Sequence, residues 1–339
     1  MLTAPDLPDE KIAACVQDAF GLRVAQIAFL PLGADMNTAV YRTVAEDGTP
    51  YFVKLRRGDF DEVAVLLPRF LSDRGIEQIT APLATRAGRS WADLAPYKVI
   101  LYPFIEGRNG YEADLTDQQW VDLGAALRRI HGAGVPSTLA GRIPKETYSP
   151  RWRNRIRSFL DCIEDTEYAD PVAAELATIL RARRAETLDL AGRADRLAGM
   201  LLAGSPILVV CHSDIHAGNV LIDTGGMLHI VDWDQPILAP KERDLMYAGG
   251  GQFANRRTPE EEERLFYRGY GPAAVDPFAL AYYRYERIVE DIAVFCEQLL
   301  LSDEGGADRE QSLRYLESNF LPGNTIDIAC NADRTGIWT

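Results

Sequence analysis

Apolar residues recur at helical spacing over residues 8–20 (PDEKIAACVQDAF), and Gly21 closes the run. That pattern predicts an amphipathic helix with a glycine stop. Three short apolar runs follow, at 25–32, 38–44 and 51–55, and Asp47-Gly48 between the last two is a strong hairpin signal. Residues 60–71 return to helical spacing, with Val63, Leu66, Leu67, Phe70 and Leu71 on one stripe. Two further strands are predicted at 78–83 and 97–105. Five strands with one inserted helix make a mostly antiparallel α+β unit.

After Glu106-Gly107 the pattern becomes helical. Thr116 and Gln119 stand at capping-box spacing before an apolar-periodic run towards His131. Residues 149–203 are rich in helix formers, and a second box, Thr258-Pro259 with Glu261, opens another helix. Long helical patterns cover 276–301 and 307–320. Strand-like stretches in this half are confined to 207–211, 219–223 and 227–233. The expected organisation is therefore a small sheet-rich lobe over 1–106 and a large, mostly helical lobe over 107–339. A cleft between two such lobes is the default place for a site.

Composition narrows the function. With 50 acids against 36 bases and a formal net charge of -14 in 339 residues, neither nucleic acid nor an anionic membrane is an expected partner. No stretch approaches the length of a membrane helix, and the N-terminus lacks a basic region followed by an apolar one. Cys15, Cys162, Cys211, Cys296 and Cys330 are odd in number, scattered and without C-x-x-C spacing, as reduced thiols are. A cytoplasmic protein without an obligate protein partner is expected. His212 and His216 beside Cys211 suggest a metal site only weakly, because the surrounding residues suit another chemistry better.

That chemistry lies in CHSDIHAGNVLIDTGGMLHIVDWD (211–234). Asp214 and Asn219 flank a turn-prone loop, and a hairpin with Gly225-Gly226 at its tip delivers Asp232 to a strand end. Such oxygen ligands suit magnesium, and an acid left off the metal can orient a hydroxyl and accept its proton. Asp214 and Asn219 taken singly also read as Asx-turn residues. In the first lobe Lys54, one of only five lysines, sits in the apolar run YFVKL. An interior lysine needs a partner, and Glu62 at the start of the next helix is one, with Asp61 competing. An edge strand with Lys54 facing water explains the run equally well.

H-x-D-x-x-x-x-N followed by a hydrophobic hairpin and V-D-W resembles the aminoglycoside phosphotransferase and choline kinase group, relatives of protein kinases. GADMNTAVYR, YFVKLRRG, YPFIEGRNG, YSPRW and YYRYERIVEDIAV carry the resemblance over nearly the whole chain. It implies a two-lobed protein-kinase-like fold, ATP and Mg²⁺ as cofactors, Asp214 as catalytic base, and Asn219 and Asp232 as metal ligands. It also implies Lys54 on the α/β-phosphates, braced by Glu62. Gly33, Asp35 and Asn37 would lie near the nucleotide, although a plain turn explains that segment nearly as well. Backbone groups of Pro103, Phe104 and Ile105 would meet the adenine edge.

Val231-Asp232-Trp233 stands where protein kinases have Asp-Phe-Gly, and no Ala-Pro-Glu follows. Both departures point to a small-molecule acceptor. The implied acceptor is a hydroxyl of a small cationic aminocyclitol or aminoglycoside, spectinomycin first. Its protonated amines call for carboxylates and aromatic faces, for which Asp234, Glu286 and Glu290 are candidates, the last two on one helical face. A metabolic kinase for choline, homoserine or a thio-sugar shares the constellation. A non-catalytic nucleotide-binding module lacks one of its members as a rule, and here all are present.

Overall fold

The computed structural model describes residues 4–33, 37–254, 256–302 and 305–334. The first part of the chain forms α1 (Asp9–Phe20), β1 (Val24–Leu30), β2 (Thr38–Ala45), β3 (Pro50–Arg57), α2 (Val63–Asp73), β4 (Ala92–Leu94), β5 (Tyr97–Pro103) and β6 (Gly107–Asn109). Next come α3 (Asp117–His131), α4 (Ser137–Ala140), α5 (Arg151–Cys162), α6 (Pro171–Ala182) and α7 (Arg184–Leu202). Short strands follow at β7 (Val209–Cys211), β8 (Val220–Asp223), β9 (Leu228–Ile230) and β10 (Ile237–Ala239). The chain closes with α8 (Glu242–Leu245), α9 (Pro259–Tyr270), α10 (Pro277–Leu300), α11 (Ala307–Asn319) and α12 (Thr325–Arg334).

This is the expected α+β, kinase-like class, an N-terminal antiparallel sheet with a mostly helical C-terminal part. By packing, the chain divides into two compact units: 1–115 with 132–143 and 217–236, and 116–131 with 144–216 and 237–339. Segment 107–339 is thus shared between both units.

In the first unit the sheet runs β1-β2-β3-β5-β4. Alternation decides its faces: Ala39 and Tyr41, Val53 and Leu55, and Val99 and Leu101 pack with Ile12 and Val16 of α1 in one core cluster. Gly21 ends α1 with a left-handed backbone and donates its N–H to Gln17 O at 3.0 Å. The Asp47-Gly48 hairpin forms as expected, Asp47 Oδ1 accepting the Thr49 N–H at 2.9 Å. The expected strand at 78–83 does not. Pro82 has no N–H to give, and Ile79 makes only an isolated bridge to Ile230. The fifth strand is β4, three residues long.

The second unit is built around α10, against which α5, α6, α7, α8, α11 and α12 pack. Both predicted capping boxes form, Thr116 with Gln119 and Thr258 with Glu261. Helices α3 and α9 cross at glycines: a Cβ on Gly269 would lie 1.8 Å from Val121 O, and one on Gly124 would lie 2.1 Å from Phe266 O. Only two bare backbones fit so closely.

Glu262 of α9 is buried and accepts the Gly249 N–H at 2.9 Å. Burial pushes its carboxyl from 4.5 up to about 7, with the Gly249 bond and Arg284 opposing. The folded state therefore keeps a proton that the unfolded chain has released, so stability falls as pH rises from about 5 through 7. Glu262→Gln keeps the acceptor and removes this penalty. Thermal unfolding is expected to show a gain of about 2–3 kcal/mol at pH 8 and none at pH 4.

Candidate active site

Lys54 lies on β3, between β2 and β5, opposite Val40 and Ile100. The edge-strand alternative is therefore excluded. The lysine is 7% exposed and points from the sheet face opposite the α1 core. Its Nζ donates to Asp232 Oδ1 at 2.7 Å and to Asp234 Oδ1 at 2.6 Å. Burial lowers its pKa, but the two carboxylates more than reverse this and hold the ammonium charged.

The expected Lys54–Glu62 pair is not formed. Glu62 precedes α2 and receives Arg142 Nη2 at 2.5 Å, while Asp61 Oδ1 accepts the Val63 N–H at 2.9 Å. Both acids are occupied at the helix start, and Lys54 reaches partners far along the chain instead. Asp234, expected on the substrate side, lies in this ion-pair cluster. It joins Lys54, with Arg56 Nη1 3.5 Å from its Oδ2. Burial raises its pKa, opposed by Lys54.

The hairpin β8–β9 brings the metal-ligand candidates together. Val231 donates its N–H to Asn219 O at 3.0 Å, so Asn219 and Asp232 stand side by side at the foot of this hairpin. Trp233 is buried and donates Nε1–H to Ile230 O at 3.3 Å. Asp232 itself has φ 64°, a left-handed backbone that aspartate adopts more readily than most residues other than glycine. An amide oxygen and a carboxylate are hard donors that fit magnesium.

Asp214 belongs to the second unit. Ser213 before it has φ 72°, and this backbone is pinned from below. Asp244, 1% exposed, accepts the N–H groups of His212 at 3.0 Å and Ser213 at 2.7 Å, and its Oδ2 lies 3.0 Å from His131 Nε2. Tyr247 donates its hydroxyl to Ser213 O at 2.7 Å. His212 braces the loop, its Nδ1 accepting the Asp214 N–H at 3.3 Å. Burial raises the Asp214 carboxyl, but Arg287, then His216 and His212, reverse this and bring it to about 2. Asp244 and Tyr247 carry no motif of their own and escape sequence reading, although they lie in the KERDLMY stretch after the β8–β9 hairpin.

His131, Cys211 and Asp244 also approach one another. The Asp244 oxygens are already committed to two backbone N–H groups and the imidazole, and Cys211 Sγ faces Ala239 O and Pro240 O. This is a hydrogen-bonded brace.

Glu286 and Glu290, also expected on the substrate side, each have an arginine partner. Helix α10 is covered on most sides, so the face they share does not form an acidic surface. Glu286 is 4% exposed, with Arg153 Nη1 at 3.4 Å, and burial pushes it up to about 7. Glu290 has Arg243 Nη2 at 3.9 Å. Gly33 takes φ 83°, as a turn glycine does, and Asn37 O accepts the Arg57 N–H at 2.8 Å. Asp35 lies outside the described residues. Pro103 ends β5, and Phe104 packs near Phe52 beneath the Arg42 guanidinium.

Residues 28–284 match the model of the phosphotransferase enzyme family. The chain belongs to that family. This phosphotransferase is 37% identical to spectinomycin phosphotransferase APH(9)-Ia, solved in complex with ADP and spectinomycin. The match covers 97% of this chain and all of that one, with a TM-score of 0.89. The AMP-bound complex of the same enzyme aligns with a TM-score of 0.84 at 36% identity, over 95% of this chain and 98% of that one. Protein StrN of Streptomyces griseus is 29% identical over 230 residues, 64% of this phosphotransferase and 67% of StrN. Amicoumacin kinase hAmiN, at 17% identity and a TM-score of 0.61 over 95% and 97% of the chains, shares the fold. Among the described residues no helix is long and apolar enough to cross a membrane.

Proposed function

We propose that this phosphotransferase transfers the γ-phosphoryl group of ATP to a hydroxyl of a small cationic aminocyclitol, spectinomycin or a close relative. The observation that carries this reading is the end-to-end likeness to a phosphotransferase crystallised with ADP and spectinomycin, joined to the presence here of Lys54, Asp214, Asn219 and Asp232. On this reading the first unit handles the nucleotide. Lys54 leaves its two aspartates for the α/β-phosphates, Asn219 and Asp232 hold magnesium, and backbone groups of Pro103, Phe104 and Ile105 meet the adenine. Gly33 and Asn37 flank the phosphates. Magnesium held there by Asn219 and Asp232 would supply neutralisation of phosphate charge.

Asp214 orients the acceptor hydroxyl and takes its proton late in the transfer. A carboxyl held near 2 is a weak base but a permanently ionised acceptor, which suits a loose transition state in which positioning and charge stabilisation dominate. An ATP-containing, reducing cytoplasm suits the enzyme, whose cysteines form no disulfide among the described residues. The test is mass spectrometry of an aminocyclitol panel and of choline, homoserine and a thio-sugar after incubation with ATP and magnesium. A single phosphate added to spectinomycin, abolished by chelation of the metal, is expected. Phosphorylation of a metabolite but not of any aminocyclitol would assign the protein to metabolism instead.

A further inference from the structure

Arg287 stands on α10, 73 residues after Asp214, and its sequence neighbourhood suggests an ordinary pair with Glu290 or Asp291. The structure gives it another partner as well. Its Nη1 donates to Asp214 Oδ1 at 2.7 Å and lies 3.2 Å from the Tyr247 hydroxyl, while its Nε is 2.9 Å from Asp291 Oδ1. Tyr247 donates to Ser213 O at 2.7 Å and lies 3.4 Å from the same Asp214 Oδ1. The guanidinium and the phenol thus converge on one oxygen of the carboxylate. His216 Nε2 is 3.7 Å from the other, Oδ2. Helix α10 is the best-supported element of its unit, and Asp291 anchors the guanidinium to that helix one turn on. The position of Oδ1 is therefore referred to a rigid scaffold and not to the loop alone.

We infer that Arg287 is a positioning residue for phosphoryl transfer, clamping Asp214 through Oδ1 so that Oδ2 is presented to the acceptor hydroxyl. This rests on Asp214 being the base. A guanidinium suits the task because its Nη1 donates to Asp214 while the same delocalised charge lies against Asp291, a span that a single ammonium covers less well. The clamp also balances the charge of an acid that sits close to Asp291.

The test compares Arg287→Met, Arg287→Lys and Asp214→Asn by steady-state kinetics at saturating acceptor, with thermal melts to establish folding. The expected result is a kcat about 100-fold lower in Arg287→Met, a KM for ATP within about twofold of wild type, and an intermediate kcat in Arg287→Lys. In an Asp214→Asn background, Arg287→Met is expected to cost nothing further, since it acts through the missing carboxylate. A purely structural arginine would give additive losses. Wild-type kcat in a folded Arg287→Met or Arg287→Lys, or a raised kcat, overturns the inference. If Arg287→Met does not fold, Arg287→Lys decides the matter alone. Normal turnover in Asp214→Asn overturns the assignment of the base itself. An inactive Asp214→Asn beside fully active Arg287 variants overturns only the clamp.

Discussion

Asp214→Asn is expected to lower kcat about 10³-fold or more while leaving the affinity for ATP and magnesium within about twofold of wild type. The substitution keeps the volume, and the amide oxygen still accepts from Arg287. What disappears is the ionised oxygen proposed to hold and deprotonate the acceptor. The braces below the loop, Asp244 on the His212 and Ser213 N–H groups and Tyr247 on Ser213 O, do not involve the carboxylate, so the backbone stays in place. Single-turnover kinetics beside calorimetric titration of ATP separates the two effects. Turnover near the wild-type rate would remove Asp214 from the mechanism.

The second large effect is expected at Lys54. Lys54→Met removes the cation from between Asp232 and Asp234 and, on the proposed function, from the phosphates. It should reduce kcat/KM for ATP by about 10²–10³-fold, and Lys54→Arg should not restore it, because a guanidinium is wider and planar. Stability falls less. Breaking a fully buried pair costs about 3–5 kcal/mol, but Asp232 and Asp234 side chains are 48% and 28% exposed, and Arg56 remains beside Asp234. A loss of about 1–2 kcal/mol follows after discounting for solvent screening, read from the shift of the denaturation midpoint. Unchanged kcat/KM would show that Lys54 serves the fold alone.

What was legible beforehand was local. Alternation in β2, β3 and β5, the Asp47-Gly48 turn and two capping boxes each act over a few residues, and each formed. The loop carrying Asp214 and Asn219 is likewise one continuous string. The misses are of two kinds. Strands β4 and β10 are three residues each, too short for a period to declare itself, and their pairing is dictated by β5 and β7. The other kind is long-range choice of partner. Lys54 had acids at hand in Asp61 and Glu62, yet its ion pairs span 178 and 180 residues. Likewise the α10 spacing put Glu286 and Glu290 on one face, but only packing reveals that arginines cover it. No local pattern encodes that choice.

The first unit is stitched from three separate stretches of chain, which bears on how this enzyme can be recombined with its relatives. A chimera made by one crossover after residue 106 takes Lys54 from one parent and Asp232 and Asp234 from the other. It also mixes parents across the Ile79–Ile230 bridge. Transplanting the unit intact needs exchange at five junctions, after residues 115, 131, 143, 216 and 236. One of these falls between His216 and Ala217, inside the string that holds both Asp214 and Asn219. Gene shuffling that respects chain order alone will therefore mismatch the ion pairs of Lys54, whereas inheriting 217–236 together with 1–115 keeps them in one lineage.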